Sequence, residues 1–295
     1  MDMTNRNKGL LMVSFGASMW GGSGVAGQYL LQDCGFSTEW LVVSRMILAG
    51  LILLLADRIM YKESILSIWH DKKDALEVLL FAVFGMLAVQ YTYFACIKYG
   101  NAAAATVLQY LMPIFIIVYI TLNTRKLPRL IEIICVIMAV AGTFLLVTHG
   151  RLDYLSISPT ALVWGLLSAV AAAFYTVQPK RLIRKWRATL IIGWGMLIGG
   201  IVLMPINPPW QFVGTWNIMT GLIYAYIIIF GTVLAFGCYL GSIKHIQPSE
   251  ASILGSIEPL SAIILSILFL NTSFGLIDMI GTALIIGTVF LLARK

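Results

Sequence analysis

Long apolar runs, each bounded by polar residues or by glycine and proline, recur along the whole chain. A membrane-spanning helix needs roughly 20 apolar residues, and ten segments of about that length are present. Some neighbouring segments are joined by only a few residues, which indicates tight antiparallel helix hairpins. The predicted spans are 9–31, 38–57, 76–97, 102–121, 129–148, 158–179, 189–205, 217–240, 249–270 and 275–293.

Two of the predicted hairpins resemble each other. The run 98–113, KYGNAAAATVLQYLMP, and the run 244–259, KHIQPSEASILGSIEP, align at an offset of 146 residues. Ten spans divide into five and five, and because five is odd, the second copy is predicted to be inverted in the membrane. We therefore expect an all-α membrane protein with two inverted five-helix repeats, 1–150 and 151–295, an arrangement typical of alternating-access transporters.

The basic residues are distributed unequally between the two sides of this predicted topology. With a cytoplasmic N-terminus, seventeen of the 20 Lys and Arg residues fall inside, and only Lys98 and Arg151 fall outside. Arg45 lies within a span. Cytoplasmic loops of membrane proteins carry such an excess of positive charge. The distribution supports the ten-span prediction and places both termini in the cytoplasm.

Composition excludes several other classes of protein. The chain is 60% hydrophobic and 11% charged, whereas soluble domains average about 25% charged residues. The net charge of +7 is explained by topology, so we expect no nucleic-acid partner. The four cysteines form no CxxC motif, and His70, His149 and His245 lie in separate connections. We therefore expect no metal site, no cofactor and no obligate protein partner.

Several motifs resemble one family of transporters. The stretch 93–102, YFACIKYGNA, and the later Pro113 resemble the third-to-fourth helix hairpin of the drug/metabolite transporter superfamily, EamA type. The stretch 251–260, ASILGSIEPL, resembles the family's sequence around its Glu-Pro pair. The stretches 43–50, VSRMILAG, and 17–21, ASMWG, resemble its second and first helices. The resemblance covers essentially the whole chain in two copies.

The chain also departs from the family pattern. Asn271 and Thr272 stand where the family often has Gly-Glu at the end of its ninth helix, so any role of that acid is absent. Met112 in the first repeat occupies the position of Glu258 in the second. The two halves are therefore not chemically equivalent.

The resemblance implies a ten-helix bundle around a central cavity, lined mainly by helices 1, 3, 4, 6, 8 and 9. It implies transport of small metabolites across the cell membrane, and amino acid export is a frequent assignment in the family. The implied partners are a small-molecule substrate and the lipid bilayer.

Two ionisable residues lie inside predicted spans. Glu258 is about nine residues into its span, roughly 13 Å deep. A carboxylate at that depth is costly unless it faces a cavity, a partner or a proton. It is predicted either to titrate or contact a substrate amine, or to belong to a structural kink with Pro259. Arg45 either pairs with Glu258, binds a substrate carboxylate, extends outward to the interface or caps neighbouring carbonyls.

A set of polar and aromatic residues recurs at midspan depths. Gln90 and Gln109 are predicted to face inward, because an amide in lipid is costly. For any one residue, hydrogen bonding between helices is an equally good explanation. For the whole set, with Ser252 on the same stripe as Ser256, a cavity is favoured. The predicted substrate-binding residues are Trp20, Gln90, Tyr93, Gln109, Tyr110, Trp164, Tyr175, Gln178, Tyr239, Ser256 and Glu258.

Other functions are weighed against transport. A membrane enzyme needs clustered ionisable or nucleophilic residues, which the pattern does not show, so an enzyme is not expected. The chain has no Walker motif for direct use of ATP. A channel or a non-transporting scaffold remains an alternative, as does proton- or cation-coupled import of an amine or another small polar solute.

Overall fold

The structure is a computed structural model that describes residues 3–125, 127–151, 156–242, 244–246, 251 and 254–293. All regular secondary structure within these residues is helical. The helices of the first half are α1 (Met3–Gln28), α2 (Thr38–Tyr61), α3 (Lys72–Tyr99), α4 (Ala102–Thr124) and α5 (Leu130–Thr148). Those of the second half are α6 (Pro159–Val177), α7 (Ala188–Leu203), α8 (Ile218–Ile228, continued through Ile229–Leu234 and Ala235–Ser242), α9 (Ile257–Leu270) and α10 (Leu276–Ala293).

Six helices in the described part of the chain are long and apolar enough to cross a membrane: α2, α3, α4, α5, α8 and α6 with the short helix Lys180–Lys185 that follows it. The helices α7, α9 and α10 are apolar but shorter. The all-helical, multi-pass architecture is thus confirmed. The count of ten spans and the inversion of the second half stay predictions.

Polar side chains set the first residue of several helices. Ser37 accepts a hydrogen bond from the Trp40 backbone N–H at 3.1 Å, just before α2. Asn101 does the same for Ala104 at 2.7 Å before α4, and Ser158 for Ala161 at 3.1 Å before α6. Such caps satisfy N–H groups that a helix start leaves unpaired. Because the caps are local, these helix starts agree closely with the boundaries predicted from sequence.

Glycine allows close contact where helices from the two halves cross. A Cβ atom on Gly21 of α1 would lie 2.5 Å from the Glu258 carbonyl oxygen at the start of α9. A Cβ on Gly50 of α2 would lie 2.6 Å from the Leu197 backbone nitrogen in α7. Real Cβ atoms do not approach so closely, and small residues are the usual means of close packing between membrane helices. These crossings bring α9 against α1 and α7 against α2.

Several helices depart from regular α geometry. π-helical segments occur at Tyr29–Asp33, directly after α1, at Phe81–Leu87 inside α3 and at Ile229–Leu234 inside α8. The helix α4 is instead interrupted between Gln109 and Met112. Such irregularities leave carbonyl groups outside the regular hydrogen-bond ladder and are frequent at functional sites.

Two clusters of ion pairs join the end of α2 and the start of α3 to the residues just before α7. The Arg187 guanidinium pairs with the buried Asp57 carboxylate at 2.8 Å, and Asp57 also accepts a hydrogen bond from Thr189 at 2.5 Å. In the second cluster, Asp74 accepts from the Trp186 indole at 2.8 Å and pairs with Lys185 at 2.6 Å. Together with the α2–α7 crossing, these contacts hold α2, α3 and the start of α7 together.

Candidate functional site

A cavity of about 300 Å³ lies between helices of both halves. Its wall comes from α1, α2, α3, α4, α6, α8 and the start of α9, with a contribution from Val289 of α10. The family resemblance implied all of these helices except α2 and α10. Eight of the eleven predicted site residues line the cavity: Trp20, Gln90, Tyr93, Gln109, Tyr110, Tyr175, Tyr239 and Glu258.

The structure places the other three predicted residues away from the cavity wall. Trp164 packs edge-on against Tyr91, with ring centroids 5.6 Å apart. Gln178, at the end of α6, donates a hydrogen bond to the Glu77 carbonyl at 3.0 Å. Ser256 is buried directly before α9.

The positions of these side chains follow from helix geometry. Residues two apart on a helix point about 200° apart, so Ser256 and Glu258 cannot share one face. For Gln178, the partner is a backbone carbonyl of α3, which no sequence pattern indicates. The polar residue Ser252 of the same span lies outside the described residues.

The Glu258 carboxylate lies at the cavity wall near the interruption in α4. The Tyr110 hydroxyl donates to the Gly255 carbonyl at 2.6 Å and lies 3.4 Å from Oε2 of Glu258. Tyr110 occupies the turn that separates the two parts of α4, ahead of Pro113. Proline cannot donate a backbone hydrogen bond, so it favours a break of this kind. The interruption therefore positions a hydroxyl group beside the only acid on the described cavity wall.

The Arg45 guanidinium is buried at the wall and is held by neutral groups. Its Nε donates to Thr232 Oγ1 at 2.8 Å, one terminal nitrogen to Gln90 Oε1 at 3.2 Å and the other to the Gly231 carbonyl at 3.3 Å. The Phe94 ring lies 5.0 Å from the guanidinium carbon. Thr232 and Gly231 belong to the π-helical segment of α8. Of the alternatives for Arg45, capping of a neighbouring carbonyl is what the structure shows, and extension to the interface is not.

Aromatic rings form one side of the cavity. The Trp20 ring centroid lies 5.0 Å from that of Phe236 and 5.2 Å from that of Tyr239. On the opposite side, the Tyr93 hydroxyl and Thr106 Oγ1 are 2.8 Å apart. Rings of this kind stack on the apolar part of a solute or on a cation. The wall therefore combines stacking surfaces with one carboxylate, Glu258, and one guanidinium, Arg45.

The predicted substrate-binding residues do not include several side chains that complete the wall, although Ser23 belongs to the midspan polar set from which they are drawn. Met86 and Val89 of α3 and Phe236 of α8 line the cavity, and so do Ser23 and Thr176. The first three are apolar, and a hydropathy pattern does not separate an apolar cavity wall from a packed core. Ser23 and Thr176 carried a polar signal, but both neighbour small or aromatic residues that dominate the pattern.

Two glutamines join the end of α1 to the hairpin between α3 and α4. Gln32 Nε2 donates to the Ile97 carbonyl at 2.7 Å and to the Gly100 carbonyl at 2.8 Å, in the hairpin between α3 and α4. Gln28 Oε1 accepts from the Ala102 backbone N–H at 2.8 Å and Gln28 Nε2 donates to Gln32 at 3.1 Å. We call this network the amide seal. It ties the end of α1 to the start of α4.

Toward the opposite end of the bundle, α4 has fewer buried residues. The part of α4 next to the amide seal, Ala102–Gln109, buries seven residues from Ala102 to Leu108. The part beyond the interruption, Met112–Thr124, buries only Ile117. The second part of α4 therefore makes fewer contacts inside the bundle than the first part, as expected where apolar side chains of a spanning helix face lipid.

Known proteins resemble the chain, and some of them match almost its full length. A model of the EamA-like transporter family matches residues 7–148 and, separately, residues 159–294. The uncharacterized inner membrane transporter YicL of Salmonella typhimurium is 42% identical over 294 residues, which cover 99% of this chain and 97% of that protein. Protein PecM of Dickeya dadantii is 27% identical over 158 residues, covering 52% of this chain and 53% of PecM.

A solved structure supports the fold. One crystal structure matches with a TM-score of 0.61 and 17% identity, covering 99% of this chain and 96% of that chain. At that identity, the likeness concerns the fold alone. The two family-model matches and the full-length relative together confirm the resemblance drawn from the motifs. The chain belongs to the EamA-like transporter family.

Proposed function

We propose that this protein is a secondary transporter that exports amino acids or related small polar metabolites by alternating access through the central cavity. The observation that carries the proposal is the cavity itself, which has a polar and aromatic wall. The proposal also assigns to the amide seal, which joins α1 to the α3–α4 hairpin, the role of closing that end of the cavity. A site enclosed by helices of both halves and open toward one end at a time is what alternating access requires.

The proposal includes the ten-span topology with two inverted repeats and cytoplasmic termini. It is supported by the separate match of the family model to each half and by the distribution of Lys and Arg. In that topology the amide seal lies on the outer side of the membrane. The second part of α4, Met112–Thr124, lies toward the cytoplasmic side. The cavity then faces the cytoplasm, where an exporter loads its substrate.

A second candidate is proton- or cation-coupled import of an amine or another small polar solute. Glu258 beside the rings of Trp20 and Tyr239 favours it, because an acid with aromatic neighbours suits an organic cation. A channel is less well supported, since the amide seal closes one end of the cavity. The curated relatives are named as transporters, which favours transport over an enzymatic activity.

The test uses the purified full chain in liposomes loaded with a mixture of unlabelled amino acids and small amines. Labelled single solutes are supplied outside, with and without a pH gradient. We expect saturable counterflow for at least one amino acid. Counterflow of amines alone would favour the second candidate, and movement of no solute by folded protein would contradict both.

Direction is tested separately in vesicles that contain the transporter in one known orientation. For an exporter, we expect half-maximal transport at a lower substrate concentration on the cytoplasmic face than on the outer face. Uptake that depends on an inward proton gradient would instead support the importer.

A further inference from the structure

Arg45 is a buried charge with no carboxylate within ion-pair distance in the described part of the chain. Among the described residues, its one contact that depends on the charge is with the Phe94 ring, 5.0 Å from the guanidinium carbon, and such a contact is weaker than the cost of burying an ion. Arg45 links α2 to α3 and α8 through hydrogen bonds to Gln90, Thr232 and the Gly231 carbonyl, all of which are neutral. A neutral side chain can join helices in the same way, and burial of an ion is costly without an ionic partner. A charge kept at this position therefore indicates a role that needs the charge.

The guanidinium retains hydrogen-bonding capacity at the cavity. A guanidinium has five N–H donors, and each of its nitrogens makes one of the hydrogen bonds described above. Each terminal nitrogen thus has a second N–H group. Arg45 is itself among the side chains that line the cavity. An oxygen of a bound solute can accept from these groups, and a carboxylate suits the planar guanidinium best.

The opposite charge on the wall comes from a different pair of helices. Glu258 lies at the start of α9 beside Tyr110 of α4, whereas Arg45 is held by α2, α3 and α8. Among the ion pairs in the described part of the chain, none joins Arg45 to Glu258. The wall thus presents one positive and one negative group that attract each other at a distance but form no direct ion pair.

We propose that Arg45 is a specificity-determining residue that binds the carboxylate of the transported solute, while Glu258 faces its ammonium group. The assignment rests on the transport function proposed above and deepens it. It selects zwitterions over the corresponding amines, which carry no group for Arg45. It also gives Gln90 and Thr232 a role, since they orient the guanidinium without neutralising it.

The experiment compares matched pairs of solutes that differ in the carboxylate. The probes are L-phenylalanine with phenethylamine and L-leucine with isoamylamine. Binding to the purified protein in detergent is measured by calorimetry, and counterflow is measured in liposomes. For the wild type, we expect each amino acid to bind at least about tenfold more tightly than its amine, as for a hydrogen-bonded charged group.

Variants separate a binding role from a structural one. Arg45→Gln is expected to abolish the preference for the amino acid, and Arg45→Lys to retain part of it. Because Arg45→Gln can also impair folding, the pair Gln90→Glu and Gln90→Met keeps Arg45 in place. Gln90→Glu adds a carboxylate next to the guanidinium and should remove the preference. Gln90→Met removes the same amide and its orienting hydrogen bond without adding a charge, so it should lower the preference less than Gln90→Glu does.

The outcomes distinguish this inference from the transport proposal. Folded Arg45→Gln or Gln90→Glu protein with an unchanged preference would overturn the role of Arg45. So would a wild type that prefers the amines or binds neither member of a pair. Binding with an Arg45-dependent preference but without counterflow would instead support the role of Arg45 and count against transport.

Discussion

At the scale of single residues, the cavity is defined by polar groups placed where an apolar side chain would cost less. Glu258 and Arg45 are the charged members of the described wall, and Gln90, Tyr93, Gln109 and Tyr110 supply neutral hydrogen-bonding groups. Each of these has a partner that also fixes its position, as Gln109 has in Ser168 at 2.7 Å. The wall is therefore pre-arranged rather than assembled by the solute.

Replacement of Glu258 by glutamine tests the acid at constant side-chain size. We expect Glu258→Gln to weaken binding of ammonium-bearing solutes at least about tenfold, because a charge-assisted hydrogen bond becomes a neutral one. Competition against a labelled amino acid in liposomes measures the change. The matched control is Glu39→Gln, which alters an acid that bonds Tyr91 at 2.9 Å outside the cavity. Equal effects of the two variants would contradict a binding role for Glu258.

At the scale of helices, irregular segments provide the groups that regular helices do not offer. The π-helical segment of α8 presents the Gly231 carbonyl to Arg45, and the one after α1 carries Gln32. The interruption of α4 places Tyr110 beside Glu258. In each case, the departure from α geometry is next to a contact that shapes the cavity or its closed end.

The α8 segment can be tested with two glycines of the same helix. A Cβ on Gly231 would lie 2.4 Å from Cβ of Ser23 in α1, whereas one on Gly221 meets only Trp216, at 3.7 Å. We expect Gly231→Ala to destabilise the protein by about 1–3 kcal/mol through overpacking. Gly221→Ala should be neutral or stabilising by up to about 1 kcal/mol. Thermal unfolding in detergent compares them, and a Gly231→Ala protein as stable as Gly221→Ala would contradict the tight α1–α8 contact.

The amide seal makes a prediction about access. Gln32→Leu removes donors to the Ile97, Lys98 and Gly100 carbonyls, so the seal should open more often. We expect about tenfold faster labelling of a cysteine at Thr106 by an impermeant maleimide added outside, since net hydrogen bonds contribute about 1 kcal/mol each.

The control for the seal is Gln178→Leu in the same cysteine-substituted background. Gln178 is also a glutamine at the end of a helix, but its partner is the Glu77 carbonyl on the other side of the bundle. The Gln178→Leu variant should leave the labelling rate of the cysteine at position 106 unchanged. Labelling that is equally fast with and without Gln32 would show that the network does not close this end.

At the scale of the whole molecule, the inverted arrangement predicts that the two similar hairpins face opposite sides of the membrane. Tyr99 and Lys244 are exposed residues in these hairpins. In a background without the four native cysteines, Tyr99→Cys should react with an impermeant maleimide outside intact cells. Lys244→Cys should react only after the membrane is opened. Reaction of both residues from the same side would exclude the inverted topology.

The sequence by itself determined the architecture and most of the candidate site. Apolar runs of spanning length predict multi-pass helices, because that signal is contained within neighbouring residues. In the structure, capping by Asn101 and Ser158 fixes two of the helix starts close to the predicted boundaries. Gln90 and Glu258 were identified for a similar reason. A polar group in an apolar segment is costly in lipid, so it must face the interior.

Only the tertiary structure decided which interior surface each of those groups faces. Trp164 and Gln178 carry the same polar or aromatic signal as Gln90, yet they contact Tyr91 and the Glu77 carbonyl of α3. Ser256 is buried directly before α9, away from the cavity wall. Helix rotation is set by close crossings such as Gly21 against α9, and a side chain's partner depends on residues far away in the chain. The neutral partners of Arg45 and the amide seal of Gln32 join segments 45 to 187 residues apart, a separation that no local pattern spans.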